Sequence, residues 1–219
     1  MTTVRPPAAI RPGSIGIMGG TFDPLHLGHL AVAEEAREAL GLERILFVPA
    51  GIAPHKPGGA AASVEDRLAM VALGIAGNDA FALSRVDVDR SGPSFTADTV
   101  AILAAAARER GVAPDLTLIM SSETLDGLPG WHEPERLLAA CRVAVVPREG
   151  HPVPDEAWLA AHFPASLGRF DLLDWPRLTI SSTAIRERGA AGRSIRYLVP
   201  EAVERHIADH GLYTGDRAG

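Results

Sequence analysis

"GGTFDPLHLGHL", residues 19–30, follows the apolar run "SIGIM" and leads into "AVAEEAREALG". Glycines after a strand let the backbone come close to a ligand. Leu30, Ala33, Ala36 and Leu40 then recur at helical spacing, with Gly41 as the stop. His26 and His29 therefore stand at a strand-to-helix junction with Gly28 between them. Four readings compete: metal ligands, a general base and its helper, donors to a phosphate at a helix end, or solvated surface histidines. A zinc site needs further ligands, and the chain has one cysteine and no H-E-x-x-H. The phosphate reading fits better, because a helix N-terminus offers unpaired N–H groups and the positive end of a dipole. Imidazoles there add donors, or positive charge if protonated.

Outward from this stretch, strand and helix patterns alternate. Strands are expected in "SIGIMGG", "RILFVPA", "AFALSRVDVD", "DLTLIM", "RVAVVPR" and "RFDLLDWPRLTI". Helices are expected in "VEDRLAMVALGIAG", in "SFTADTVAILAAAARERG" with Ser94 as N-cap, in "SSTAIRERGA" and in "VPEAVERHIADHG". "GIAPHKPGGAAAS" reads as a long loop, and the stretch from "RVAVVPR" to about residue 165 as Pro-broken. Nearly continuous apolar strands alternating with helices imply an α/β fold, a doubly wound, mainly parallel sheet covered on both faces. A small helical segment closes the chain. In such folds ligands sit beyond the carboxyl ends of the strands. Residues 1–13 read as a disordered leader, 14–213 as one domain and 214–219 as a tail.

Length and composition agree. The 219 residues carry 22 glycines, 17 prolines and a net charge of −6. That acidic balance argues against a nucleic-acid partner. No window of about 18 apolar residues spans a membrane and no signal peptide is evident, so the cytoplasm is expected. Cys141 sits in "LLAACRVAVV" and reads as a buried core thiol. Of 21 basic residues only Lys56 is lysine. In a chain where arginine has replaced every other lysine, Lys56 reads as a compact mobile cation closing over phosphates.

A second motif, "TISSTAIR", pairs with the first. Ser182 or Thr183 is a good N-cap, and Arg186 lies four residues after Ser182 on the same helix face. Hydroxyls, N–H groups and a guanidinium then converge as a polyphosphate requires. Trp131, in "GWHEP", stands among glycine and prolines and is not expected in the core.

Taken together, "GGTFDPLHLGHL" and "TISSTAIRERGAAGRSIRYLVPEAVERHIADHGLY" resemble the two end signatures of bacterial nicotinate mononucleotide adenylyltransferases, of the HxGH nucleotidyltransferase superfamily. "APHK", "DRSGPSFTADTV" and the tryptophan fall between them in the family's order. The resemblance spans residues 14–213 and implies a Rossmann-like nucleotidyltransferase fold. It implies adenylyl transfer from ATP to nicotinate mononucleotide, with Mg2+ carried by the ATP phosphates and no metal held by the protein alone. His26, His29, Lys56 and Arg186 become the expected catalytic residues. Gly19, Gly20, Thr21, Phe22, Glu123, Ile180, Ser181, Ser182 and Thr183 join the histidines and Arg186 as the ATP site. Lys56, Thr96, Trp131 and Arg148 are implied on the mononucleotide side, with Trp131 as a stacking face for the pyridine ring.

One departure stands out. The family's Gly-x-Asp, which helps hold the adenosine, is Ser121-Ser122-Glu123 here. Glu123 is a methylene longer, and Ser121 is expected to disturb any backbone geometry that needs glycine. Two rival functions follow. One is a sister transferase acting on nicotinamide mononucleotide or another HxGH substrate; the other is a non-catalytic nucleotide sensor. Acid against amide preference and homo-oligomer formation are left open.

Overall fold

In a computed structural model, which describes residues 7–53, 58–151 and 153–215, the sheet has six strands, all parallel. They are β1 (Arg11–Gly20), β2 (Leu42–Pro49), β3 (Phe81–Leu83), β4 (Asp115–Ser121), β5 (Arg142–Val146) and β6 (Phe170–Leu172), in the order β3-β2-β1-β4-β5-β6. The helices are α1 (Leu27–Leu40), α2 (Val64–Ile75), α3 (Thr96–Glu109), α4 (Ser122–Asp126), α5 (Pro134–Ala140), α6 (Glu156–His162), α7 (Ser182–Ala190) and α8 (Glu201–Asp209).

Strand periodicity divides the apolar residues between two layers. Ile17 joins a cluster with Val100, Ala104, Leu137 and Leu138, so α3 and α5 cover that face. Its neighbour Met18 joins Ala33, Ala36, Val71 and Ile75, so α1 and α2 cover the other. This is the doubly wound arrangement expected. A third cluster, with Met70, Ile185, Val199, Val203 and Ile207, packs α7 and α8 onto α2. Gly41 ends α1 at φ 62, donating to the Arg37 and Glu38 carbonyls, as a left-handed cap does. A Cβ there would lie 2.1 Å from the Ala9 carbonyl, so only glycine fits.

Several expectations need correction. Residues 11–13, assigned to the leader, begin β1, and Ala8 N donates to Glu38 O. "AFALSRVDVD" forms only three strand residues before turning. The Pro-broken stretch contains α6, which Asp155 caps by accepting from Trp158 N at 2.9 Å. Ser94 does not cap α3; Phe95 holds that position without a side-chain bond, and Ser94 Oγ accepts from Gly51 N at 3.0 Å instead. It ties the loop after β2 to the head of α3. Residues 54–57, and Lys56 with them, lie outside the described residues. Cys141 is buried as expected, and burial pushes its thiol up to about 12.

Thr117, at the centre of β4, is fully buried, and its hydroxyl has no hydrogen-bond partner among the described residues. An unmade buried hydrogen bond is destabilising. Thr117→Val should therefore raise stability by about 1 kcal/mol, read as a shift in urea midpoint at unchanged slope.

Candidate active site

Beyond the carboxyl ends of β1 and β4, where strand order reverses, a cleft of about 720 Å³ opens. Gly19, Gly20 and Thr21 line it from β1, Ser121 and Glu123 after β4, and Pro147 and Arg148 after β5.

His26 and His29 enter the cleft as a coupled pair. His26 is the N-cap of α1: its Nδ1 accepts from His29 N at 3.3 Å, while His29 Nδ1 accepts from His26 N at 3.2 Å. This is a capping box built from imidazoles rather than from Ser and Glu. The rings stack at 3.6 Å and 19°. A Cβ on Gly28 would lie 2.9 Å from His26 Nδ1, so the glycine leaves room for the stacked ring. Because both Nδ1 atoms accept, each neutral ring carries its proton on Nε2. The pair thus presents two N–H donors rather than two bases.

They are not cations. Burial, then the Arg148 charge, pushes His26 from 6.5 down to about 4. Burial, with His26 and Arg148, lowers His29 well below its ordinary value. The alternative of protonated imidazoles is thereby set aside for the free protein. Positive charge at the cleft comes instead from Arg148 and from the head of α1, whose first turn holds no acidic residue.

The second motif meets the first through the turn preceding α1. Ser182 Oγ donates to Pro24 O at 2.9 Å and Arg186 Nη1 to Asp23 O at 2.7 Å. Leu27 N donates to Leu198 O at 2.9 Å. Asp23 itself is buried, and its carboxylate accepts from Ala61 N, Ala62 N and the Tyr213 hydroxyl. Ser181, not Ser182 or Thr183, caps α7, accepting from Ala184 N at 3.2 Å.

Ile180, Ser181 and Ser182 line the cleft; Thr183 and Arg186 do not, since Arg186 faces Asp23 and its Nη2 bonds Thr183 Oγ1 at 3.3 Å. Phe22 does not line it either. It is buried with φ 51 and meets His29 edge-on at 5.0 Å, which fixes that ring from behind.

Thr96 lies in the first turn of α3 and lines the cleft together with Phe95, Trp131 and His132. Trp131 is half-buried and packs against the edge of the core, closer to it than its glycine and proline neighbours suggested. The His132 ring lies tilted against Phe95, with centroids 4.3 Å apart and planes at 30°.

The departure at residues 121–123 is built in without strain. Ser121 has φ −81 and ψ 159, open to any residue, so glycine is not required there. Ser122, fully buried, accepts from Arg148 N at 3.0 Å and donates to His151 O at 2.6 Å. Glu123 Oε2 lies 3.2 Å from Arg148 Nε. Ser122 and Glu123 therefore hold Arg148 in place beside the histidines, while Ser121 caps α4 by accepting from Thr124 N. Sequence reasoning named Arg148 and Glu123 separately and missed Ser122, Asp23 and Tyr213, though the last two fall within the motifs.

Known proteins share this fold. The model of the cytidylyltransferase-like family matches residues 17–188. A probable nicotinate-nucleotide adenylyltransferase of Roseiflexus sp. is 48% identical over 199 residues, 91% of this chain and 97% of the relative. The chain belongs to the nicotinate-nucleotide adenylyltransferases. A second member, from Thermomicrobium roseum, is 46% identical over 199 residues, 91% of each chain. Among solved structures, Plasmodium falciparum nicotinic acid mononucleotide adenylyltransferase complexed with APC superposes with a TM-score of 0.72 at 18% identity, over 92% of this chain and 97% of that one. The family is one of nucleotidyltransferases, so the chain is an enzyme of that class, and the likeness in structure shows a shared Rossmann-like fold.

Two outcomes are expected of an adenylyltransferase with this histidine pair. Gly28→Ala should push the His26 ring out of its cap and lower kcat at least about tenfold, for roughly 1 kcal/mol of stability; steady-state kinetics and urea unfolding measure both. The second concerns pH. Unfolding returns His26 from about 4 to 6.5, so the unfolded chain binds a proton that the folded one refuses. Stability contributed by the neutral ring is complete above pH 6.5 and declines as pH falls toward 4. Between pH 7 and 4.5 the wild-type chain should lose about 2 kcal/mol more than His26→Gln does, measured by urea unfolding at each pH.

Proposed function

We propose that this enzyme joins ATP and nicotinate mononucleotide to form nicotinate adenine dinucleotide and pyrophosphate, a step of NAD biosynthesis. The observation that carries the reading is the reciprocal imidazole cap at the head of α1, standing with Ser181 and Ser182 in one cleft. The nucleophile is a phosphate oxygen, largely ionised at neutral pH because the second pKa of a monoester is about 6. No general base is needed, in keeping with two imidazoles whose Nδ1 lone pairs are engaged. A bond forms between that oxygen and the α-phosphorus, the α–β bridging bond breaks, and pyrophosphate leaves with the electron pair.

The protein's work is alignment and charge stabilisation. His26 and His29 donate through Nε2–H to the α- and β-phosphates. The head of α7, at Ser181 and Ser182, takes the β- and γ-phosphates. Arg186 contributes by clamping Asp23 and so holding the two motifs together. Arg148, gripped by Glu123 and Ser122, supplies the fixed positive charge, and Lys56 closes over the mononucleotide phosphate.

Thr96 and the head of α3, with Trp131 as stacking face, take the nicotinate end. A divalent ion, Mg2+, enters with ATP as part of the substrate. The described carboxylates lining the cleft are already engaged, Asp87 with Thr99 and Arg90 and Glu123 with Arg148, so the triphosphate is the natural carrier. We place the enzyme in the cytoplasm; no helix among the described residues is long and apolar enough to cross a membrane, and the only cysteine is a buried free thiol.

A pyrophosphate-release assay with MgATP and either the nicotinate or the nicotinamide mononucleotide tests the proposal. Release with the nicotinate compound is expected, at least about tenfold faster than with the amide; release with neither would overturn it in favour of a nucleotide sensor. In the same assay His29→Ala should lower kcat on the order of 100-fold with little change in KM for ATP. Lys56→Arg should lose at least about tenfold despite keeping its charge.

A further inference from the structure

Away from the cleft, α8 carries His206 and ends at its C-cap His210 four residues on, and both approach the first turn of α2. Their rings stack at 4.0 Å, and His206 Nε2 lies 3.1 Å from Asp66 Oδ1. One ligand atom from each of Asp66, His206 and His210 falls within 4.8 Å of the others. We propose that these three side chains form a site for a divalent transition-metal ion of the Zn2+ kind, bridging α2 and α8.

The supporting shell is already in place. His210 Nδ1 lies 2.9 Å from the His206 carbonyl, which can only accept, so His210 carries its proton there and presents the Nε2 lone pair outward. Ser63 Oγ donates to Asp66 Oδ2 at 2.7 Å, orienting the carboxylate and, as the largest cause, lowering its pKa. Two ligands of one tetrahedral zinc stand about 3.3 Å apart, close to the His206–Asp66 separation. Two imidazoles with one carboxylate suit zinc and its neighbours better than Mg2+ or Ca2+, which prefer an all-oxygen shell.

A second group of similar composition, Asp98, His132 and Glu133, makes an instructive contrast. There Arg136 bonds both carboxylates and occupies the place an ion would take. Asp66 has no guanidinium partner among the described residues; its ion-pair partner is His206. A bound ion would replace the His206–Asp66 hydrogen bond and recruit His210, which makes no hydrogen bond to Asp66. It would staple the third apolar cluster, which holds α7, onto the rest of the molecule.

Titration calorimetry of the metal-free, nucleotide-free full chain with ZnCl2 tests the site, alongside thermal melts. One saturable site is expected, with a rise in Tm of about 5 °C at a hundredfold excess over Kd, reversed by a chelator. His206 is packed between helices and its loss could unfold the chain, so the exposed His210 is the position to vary. His210→Ala should weaken binding at least about tenfold, while His132→Ala binds as the wild type does. Absence of saturable binding overturns the proposal, as does equal affinity in His210→Ala.

Discussion

Buried before α1, the Asp23 carboxylate receives the Ala61 and Ala62 N–H groups on one side and the Tyr213 hydroxyl on the other. Arg186 grips the carbonyl of the same residue, and Arg67, itself buried, donates to Thr21 O nearby. One short turn therefore gathers the loop before α2, the helix α7 and the end of the chain. Breaking a buried paired charge costs about 3–5 kcal/mol, comparable to much of a domain's net stability. The cleft depends on this turn, since it sets where α1 begins and where α7 rests against it.

From that constraint the chemistry of the site follows in order. The turn fixes His26 at the helix cap, and the cap fixes both imidazole tautomers through Nδ1. The tautomers leave Nε2–H as the donor on each ring, and burial keeps the rings neutral. In the proposed reaction, transfer between two polyanions would then be assisted by fixed dipoles and by a guanidinium whose own position is held by Ser122 and Glu123. Preorganised groups of this kind need no rearrangement as charge develops.

The two signatures and the alternation of strands and helices were legible because they are local: periodicity, caps and glycine stops act within a few residues. Gly41 and the sequence from Leu30 to Leu40 show this well. What escaped reading was tertiary. Helical spacing placed Ser182 and Arg186 on one face correctly, yet could not say that this face bonds the Pro24 and Asp23 carbonyls and leaves only Ser182 at the cleft. Ser94 looked like a cap because its residue type favours caps, but the loop after β2 claims its hydroxyl first. Ser121 and Glu123 looked like damage to a motif; only the packing of β5 against β4 reveals Ser122, between them, as a bracket for the Arg148 backbone. The edge strands β3 and β6 lie within the stretches expected, but each keeps only three residues, an extent that an apolar pattern does not set.

The cap on α1 also has a consequence for how this chain can change over time. An imidazole is not among the side chains that cap helices best, and no acidic residue follows it to answer the dipole. If His26 acts as proposed, aspartate or serine at position 26 would make a sturdier helix and a poorer enzyme, since the donor on Nε2 would vanish and aspartate would repel an anion. Selection for a firmer fold and selection for turnover thus pull opposite ways at a single residue. The helix stays incompletely satisfied on its own, and its missing negative charge is one that a nucleotide brings.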